Sequence, residues 1–302
     1  MLSYAGISTF ARSPLATLDA DWHADAAILG VPFDVAPAVR PGARCAPQAI
    51  RDASLRYAVP PEGLWNWHTN ETILAGRSLR DVGDVDLPSL EPELAHARIE
   101  AAARAVRARC SVPVFLGGDH SVSYPLLRAF DDVEDLHVVQ LDAHLDFTDV
   151  CDDTKWSNAS PFRRAVEALP NLTHITTIGL RAGVRTDREA VATAKARGHT
   201  LLHADRVTRE GQLPSDTLPV GKNVYLSIDV GVFDPVVFSG TSSPEVDGLS
   251  YRKVSSIIKD VVSANTIIGV DCVELPPDQD GGELSALVVA RLLVETLGMV
   301  LL

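Results

Sequence analysis

No apolar run in this chain approaches the ~18 residues needed to cross a membrane, so a membrane-spanning protein is not expected. No basic segment followed by an apolar one stands at the N-terminus, so no signal peptide is expected either. Positive charge is scarce: 27 Lys and Arg face 40 Asp and Glu, a net charge of −13. Nothing supplies a phosphate-neutralising patch, which argues against nucleic acid or an anionic membrane surface as partner. Cysteine is sparse too. Cys45, Cys110, Cys151 and Cys272 show no CxxC spacing, so they read as buried, reduced thiols of a cytoplasmic protein. Gly117-Gly118 lacks the following lysine of a phosphate loop. There is no GxSxG elbow, so Ser121 and Ser123 read as turn and helix-start residues. With no repeat, linker or composition shift, a single domain over 1–302 is the expectation.

What is present is an alternation of short β-rich runs and helical segments. Strands are expected at 26–31, 112–116, 136–141, 175–178, 200–203, 224–228 and 267–273. Helices are expected at 95–109, 161–168, 187–197, 253–263 and 284–297. Many of the strands are apolar at both alternations, as happens when helices cover both faces of a parallel sheet. The expected class is therefore α/β. Ser160, before Pro161, and Ser250 are candidate N-caps. The segments 32–46 and 275–282 read as irregular, the second lying on the rim after a strand. Trp65 and Trp67 read as packing residues rather than as the wall of an entrance or subunit contact. The histidines at 23, 68, 96, 137, 174, 199 and 203 have no ligand-like spacing and read as surface or satisfied positions.

Three polar stretches follow apolar runs: Gly117-Gly118-Asp119-His120-Ser121, Asp142-Ala143-His144-Leu145-Asp146 and Ser227-Ile228-Asp229-Val230-Gly231. Each would project from the carboxyl end of a buried strand, where open α/β sheets bind ligands. Acids and imidazoles gathered at such a rim are costly unless cations neutralise them. Asp142, His144 and Asp146 share one side if the strand continues with period two. The donor set is oxygen and imidazole without thiolate, which favours a hard divalent ion such as Mn²⁺. The candidate metal ligands are His120, Asp142, His144, Asp146 and Asp229.

These motifs together resemble the ureohydrolase (arginase/agmatinase) family, most closely its agmatinases, over almost the whole chain. Gly30-Val31-Pro32-Phe33-Asp34, Arg40-Pro41-Gly42-Ala43-Arg44, Asp81-Val82-Gly83-Asp84-Val85 and Asp271-Cys272-Val273-Glu274 resemble further family elements. Ser160-Pro161-Phe162-Arg163-Arg164-Ala165 is similar to the agmatinase form. The resemblance implies a three-layer α/β/α fold around a mainly parallel sheet, assembled as a trimer or hexamer. It implies two Mn²⁺ ions and attack of metal-bound hydroxide on a guanidino compound, most simply agmatine, giving putrescine and urea for polyamine biosynthesis. Carried over, one ion takes His120, Asp142, Asp146 and Asp229; the other takes Asp142, His144, Asp229 and position 231. Asp146 and Glu274 become the catalytic pair, with Glu274 and Asn158 binding substrate. Two positions depart from the family pattern. Position 231 is aspartate in the family and Gly231 here, which costs the second ion a ligand. Position 158 is histidine in many relatives and asparagine here, which cannot shuttle protons near neutrality. The alternatives are a guanidino-acid or formimino C–N hydrolase with an altered second metal site, or a non-catalytic ureohydrolase-like subunit.

Overall fold

The structure, a computed structural model, describes residues 5–34, 40–184, 186–209, 213, 217–279 and 284–302. In chain order the elements are β1 (Ala24–Gly30), α1 (Ala46–Ser54), β2 (Leu64–Asn66), β3 (Glu71–Ile73), β4 (Leu79–Asp84), α2 (Pro92–Arg107), β5 (Cys110–Leu116), α3 (Ser123–Arg128) and β6 (Leu136–Leu141). They continue with α4 (Pro161–Ala168), β7 (Leu172–Leu180), α5 (Arg188–Ala196), β8 (Thr200–His203), α6 (Ala204–Arg209), β9 (Asn223–Asp229), α7 (Tyr251–Ala264), β10 (Thr266–Val273) and α8 (Leu284–Val300). Among the described residues, eight strands form one sheet in the order β4-β1-β5-β10-β9-β6-β7-β8, with every pairing parallel. No described helix is long and apolar enough to cross a membrane.

The layers follow from the strand residues. Val112, Val114 and Leu116 of β5 join a core with Val224, Leu226 and Ile228 of β9, under α1, α6, α7 and α8. Phe115 and Tyr225, on the opposite alternation, join a second core under α2, α3, α4 and α5. Each fully buried aliphatic contributes roughly 1.5–3 kcal/mol, so both faces hold helices and the fold is the three-layer α/β/α arrangement. The expected strands and long helices are all present, those at 136–141, 161–168 and 200–203 with the expected ends and the rest with shifted ones. β5, for example, begins at Cys110 and shortens the preceding helix, which ends at Arg107.

Several expectations need correction. Of the four cysteines Cys272 alone is buried; Cys110 and Cys151 are half-buried and Cys45 is exposed. The segment 32–46 is irregular at 32–34 and 40–42, as it reads, but makes a 3₁₀ turn at Ala43–Cys45. Ala46 opens α1, and Asp34 is buried against Arg44 and the Gly42 N–H; residues 35–39 lie outside the described residues. α1 escapes a periodicity reading because Arg51 sits on its buried face. That guanidinium bonds Asp81 at 2.9 and 3.0 Å and Asp84 at 2.6 Å, so a charge occupies a core position. Ser160 precedes α4 as expected, yet its hydroxyl makes no cap bond, whereas Ser250 accepts from Lys253 N at 3.3 Å. In 275–282 a 3₁₀ turn spans Pro277–Gln279, and 280–282 lie outside the described residues. Trp65 and Trp67 do not pack: they stand 60% and 82% exposed around the β2–β3 hairpin, whose side chains largely face outward. His96 is not a satisfied position. It is buried among Phe33, Tyr124 and Trp156 with both ring nitrogens unpartnered, and burial lowers its pKa to about 4.

Candidate metal centre

Four adjacent strands, β5, β10, β9 and β6, carry the candidate residues at their carboxyl ends. After β5 the chain turns at Gly117-Gly118. A Cβ on Gly118 would lie 1.7 Å from the Phe33 carbonyl oxygen, so only glycine allows this approach. The turn delivers His120. Its Nδ1 lies 2.8 Å from Asp146 Oδ2, 3.2 Å from Asp142 Oδ2 and 3.4 Å from Asp229 Oδ2. One ligand atom from each of the four falls within 4.8 Å of the others.

The route to this geometry differs from the period-two expectation. β6 ends at Leu141, and residues 142–146 form irregular turns. Asp142 Oδ1 accepts from His144 N at 2.7 Å, and Gln140 Nε2 donates to Asp142 Oδ2 at 2.7 Å. Asp146 then takes φ 49°, in the left-handed region. Glu274, at the end of β10, has φ 68°. Non-glycine residues held there cost on the order of 1–3 kcal/mol, which the surrounding bonds must offset. His144 stands beside the quartet, with Nδ1 3.4 Å from Asp142 Oδ1 and Nε2 3.7 Å from Glu245 Oε1.

β9 and β10 supply a supporting network that the motifs containing Ser227 and Asp271 did not announce. Their register pairs Ser227 with Asp271 and Asp229 with Val273. Ser227 Oγ donates to Asp271 Oδ1 at 2.7 Å and lies 3.0 Å from His120 Nε2. Tyr225 OH and Ser123 Oγ donate to Asp271 Oδ2 at 2.8 and 2.7 Å. Since the Ser227 proton goes to Asp271, its lone pair accepts from His120 Nε2–H. Nδ1 is therefore the ring nitrogen that faces the carboxylates, and once it loses its proton the ring is the tautomer a metal-ligating histidine needs. The only advance signal was period two along 225, 227 and 229, which sets these side chains on one face.

The electrostatics reflect crowding. Burial, with the Asp142 charge, raises Asp229 to about 8 and Asp146 to about 6. Burial also raises Asp271. For His144, burial works downward, but hydrogen bonding to Asp142 wins and lifts it to about 9. His120 behaves alike: burial opposes its charge, and Asp142, Asp146 and Asp229 hold its pKa well above the ordinary range. Protons thus do the neutralising that a cation does better. Three carboxylates and an imidazole, without a thiolate, suit a hard divalent ion such as Mn²⁺, and the hydrogen-bonded tautomer of His120 fits it as a ligand.

Glu274 lies beside the quartet. Its Oε1 accepts from His120 N at 2.7 Å and from Asn158 Nδ2 at 3.1 Å, while its buried Oε2 has no partner. Asn158, expected to touch substrate, thus bonds Glu274 itself. Glu274, Asp146, Asp229 and His144 line a cavity of about 350 Å³. Gly231 is buried next to Asp229, and its N–H bonds Asp229 Oδ1. A Cβ on Gly231 would meet that oxygen at 2.8 Å, so an aspartate here requires Asp229 to turn. Arg181 was not anticipated. Its guanidinium donates to the carbonyls of Gly231, Val232, Phe233 and Glu245, tying the turn after β9 to the loop at 245.

Comparison with known proteins agrees with this arrangement. Residues 24–298 match the family model described as the Arginase family. The chain is 31% identical over 298 residues to the mitochondrial guanidino acid hydrolase of Homo sapiens, covering 97% of this chain and 82% of that protein. It is 34% identical over 287 residues to the N(1)-aminopropylagmatine ureohydrolase of Thermus thermophilus, covering 90% of this chain and 89% of that one. The solved structure of the proclavaminate amidino hydrolase of Streptomyces clavuligerus superposes with a TM-score of 0.87 at 26% identity, covering 99% of each chain. This chain belongs to the arginase family.

Proposed function

We propose that this arginase-family chain is a manganese-dependent guanidino hydrolase that converts agmatine to putrescine and urea. The observation that carries the reading is the unpartnered, buried Oε2 of Glu274, in the cavity that Asp146 and Asp229 of the quartet also line. A guanidinium donating to that oxygen meets a buried carboxylate with matching charge and geometry. It is then held in the cavity that Asp146 and Asp229 line. Manganese, when bound by His120, Asp142, Asp146 and Asp229, with His144 beside them, lowers the pKa of water at the site. Asp146 orients the attacking water and holds the proton that the departing amine takes. Asn158 fixes Oε1, so Oε2 keeps its aim. The C–N bond to the alkyl nitrogen breaks, releasing urea and the amine.

Agmatine is favoured over a guanidino acid by the cavity wall. Among its described lining residues there is no lysine or arginine to pair with a carboxylate tail, and Asp187 is one of them. A cationic tail fits better than an anionic one. The test is release of urea from agmatine, 3-guanidinopropionate and 4-guanidinobutyrate, and of formamide from formiminoglutamate, by the manganese-loaded protein. Agmatine should give the highest kcat/KM. Preference for an acid moves the substrate assignment, and no urea or formamide from any of them removes the hydrolase reading. A second reading, an altered or non-catalytic metal site, is favoured only by Gly231.

Metal binding should depend on pH. Asp146 and Asp229, raised to about 6 and about 8, must shed protons before a cation replaces them. Mn²⁺ affinity is expected to rise from pH 6 to 8 with net proton release, read by calorimetry in two buffers of different ionisation enthalpy. A flat affinity across that window contradicts the crowding account. Removing the Ser227 hydroxyl tests the supporting network. Ser227→Ala deprives His120 Nε2–H of its acceptor and is expected to weaken Mn²⁺ binding roughly 10–100-fold. Unchanged binding in a metal titration would show that the tautomer is set elsewhere.

A further inference from the structure

Thr241 is a buried polar residue of the cavity wall that this reaction scheme leaves unused. It is 1% exposed, and its Oγ1 has no hydrogen-bond partner. Leaving a hydroxyl buried and unpaired costs on the order of 1–3 kcal/mol, so its position calls for a function. The residue lines the cavity with Asp229, His144 and Glu274. Its backbone is held on both sides: Gly240 N donates to Ser285 Oγ at 3.0 Å, and Ser242 N donates to the Glu274 carbonyl at 3.1 Å. It is also the group nearest the missing side chain of residue 231 after Asp229 itself. A Cβ built on Gly231 would lie 3.4 Å from Thr241 Oγ1.

We propose that Thr241 Oγ1 is an oxygen donor to the second cation of this site, beside Asp142, His144 and Asp229, in the ligand role that Gly231 cannot fill. The proposal rests on the reading of the site as a two-cation centre. A hydroxyl is a hard oxygen suited to Mn²⁺ or Mg²⁺, as the serine or threonine of a phosphate loop is. It is neutral, so it holds the ion less tightly than a carboxylate would. The second ion therefore binds more weakly than the first, and the site sheds one negative charge without losing its coordination.

The experiment titrates metal-stripped protein with MnCl₂ alone, read by calorimetry and by the electron paramagnetic resonance signal of coupled manganese. Wild type should take up two ions, the first more tightly. Thr241→Val, which keeps the shape and removes the oxygen, should retain the first ion, weaken the second at least tenfold and replace the coupled signal with that of isolated ions. Thr241→Ser should restore both. If Thr241→Val does not fold, Thr241→Ala compared with Thr241→Ser carries the same contrast. A Thr241→Val protein that binds both ions like wild type overturns the proposal, as does a wild type that saturates at one ion; neither outcome removes the hydrolase reading. A wild type that binds no manganese removes both.

Discussion

Asp142→Asn is expected to weaken manganese binding by more than ~100-fold and to abolish urea release. A change in an outer-shell partner costs 10–100-fold, and Asp142 is more central than that. Its Oδ2 lies 3.2 Å from His120 Nδ1, and its Oδ1 lies 3.4 Å from His144 Nδ1. Both oxygens are already committed on the protein side. Oδ1 accepts from His144 N, and Oδ2 accepts from Gln140 Nε2. Gln140 is in turn held by Thr177, whose hydroxyl donates to its Oε1 at 2.8 Å. An asparagine amide must turn its NH₂ toward one of these donors, leaving that donor unpaired, and it brings no charge to the cation. Binding is read by manganese titration, with thermal unfolding of the metal-free protein as the control for folding. A variant that binds manganese as wild type does would show that Asp142 is a structural acid, and the proposed centre would have to be redrawn.

The second large effect is expected at Glu274. In Glu274→Gln the amide oxygen can still accept from His120 N and Asn158 Nδ2, so the local fold is kept. The NH₂ group then replaces the free Oε2 and points donors at the donors of a guanidinium. kcat/KM for the guanidino substrate should fall roughly 10²–10³-fold, equivalent to about 3–4 kcal/mol of transition-state stabilisation. Manganese affinity should change less than about tenfold, because Glu274 hydrogen-bonds the backbone N–H of His120 and no ligand atom of the quartet. Loss of metal with preserved turnover at saturating manganese would reverse the assignment and make Glu274 a support of the metal centre.

How far the site was legible differs by residue. His120, Asp142, Asp146 and Asp229 were legible because acids and imidazoles directly after buried strands are costly until a cation neutralises them, and the quartet converges as expected. Glu274 was legible only through resemblance, since a lone acid after a strand carries no signal of its own. Its role as acceptor of His120 N is a tertiary fact. Ser227, Tyr225 and Ser123 were illegible, because hydroxyl residues in and after strands are common and their shared partner, Asp271, lies 44 to 148 residues away. Thr241 and Arg181 were missed for the same reason. α1 was missed because its Arg51 pairs with Asp81 and Asp84, and sequence periodicity counts a buried charge as a surface one. The tryptophans of the β2–β3 hairpin failed in the opposite sense: large apolar residues were taken to be buried, and these are exposed.

From composition and local pattern alone came the strand–helix alternation, the two-faced apolar strands and the layered α/β class, because burial on both faces writes itself into every position of a strand. The acids that need a cation came from the same source. Strand order was a different matter. β10, last in the chain, sits between β5 and β9, and that insertion brings Glu274 to His120 and Asp271 to Ser227. Side-chain period is a short-range property, whereas strand neighbours are chosen by the packing of the whole sheet. The identities of the ligands were therefore written locally, and their support, aim and tautomer were decided only when distant strands met.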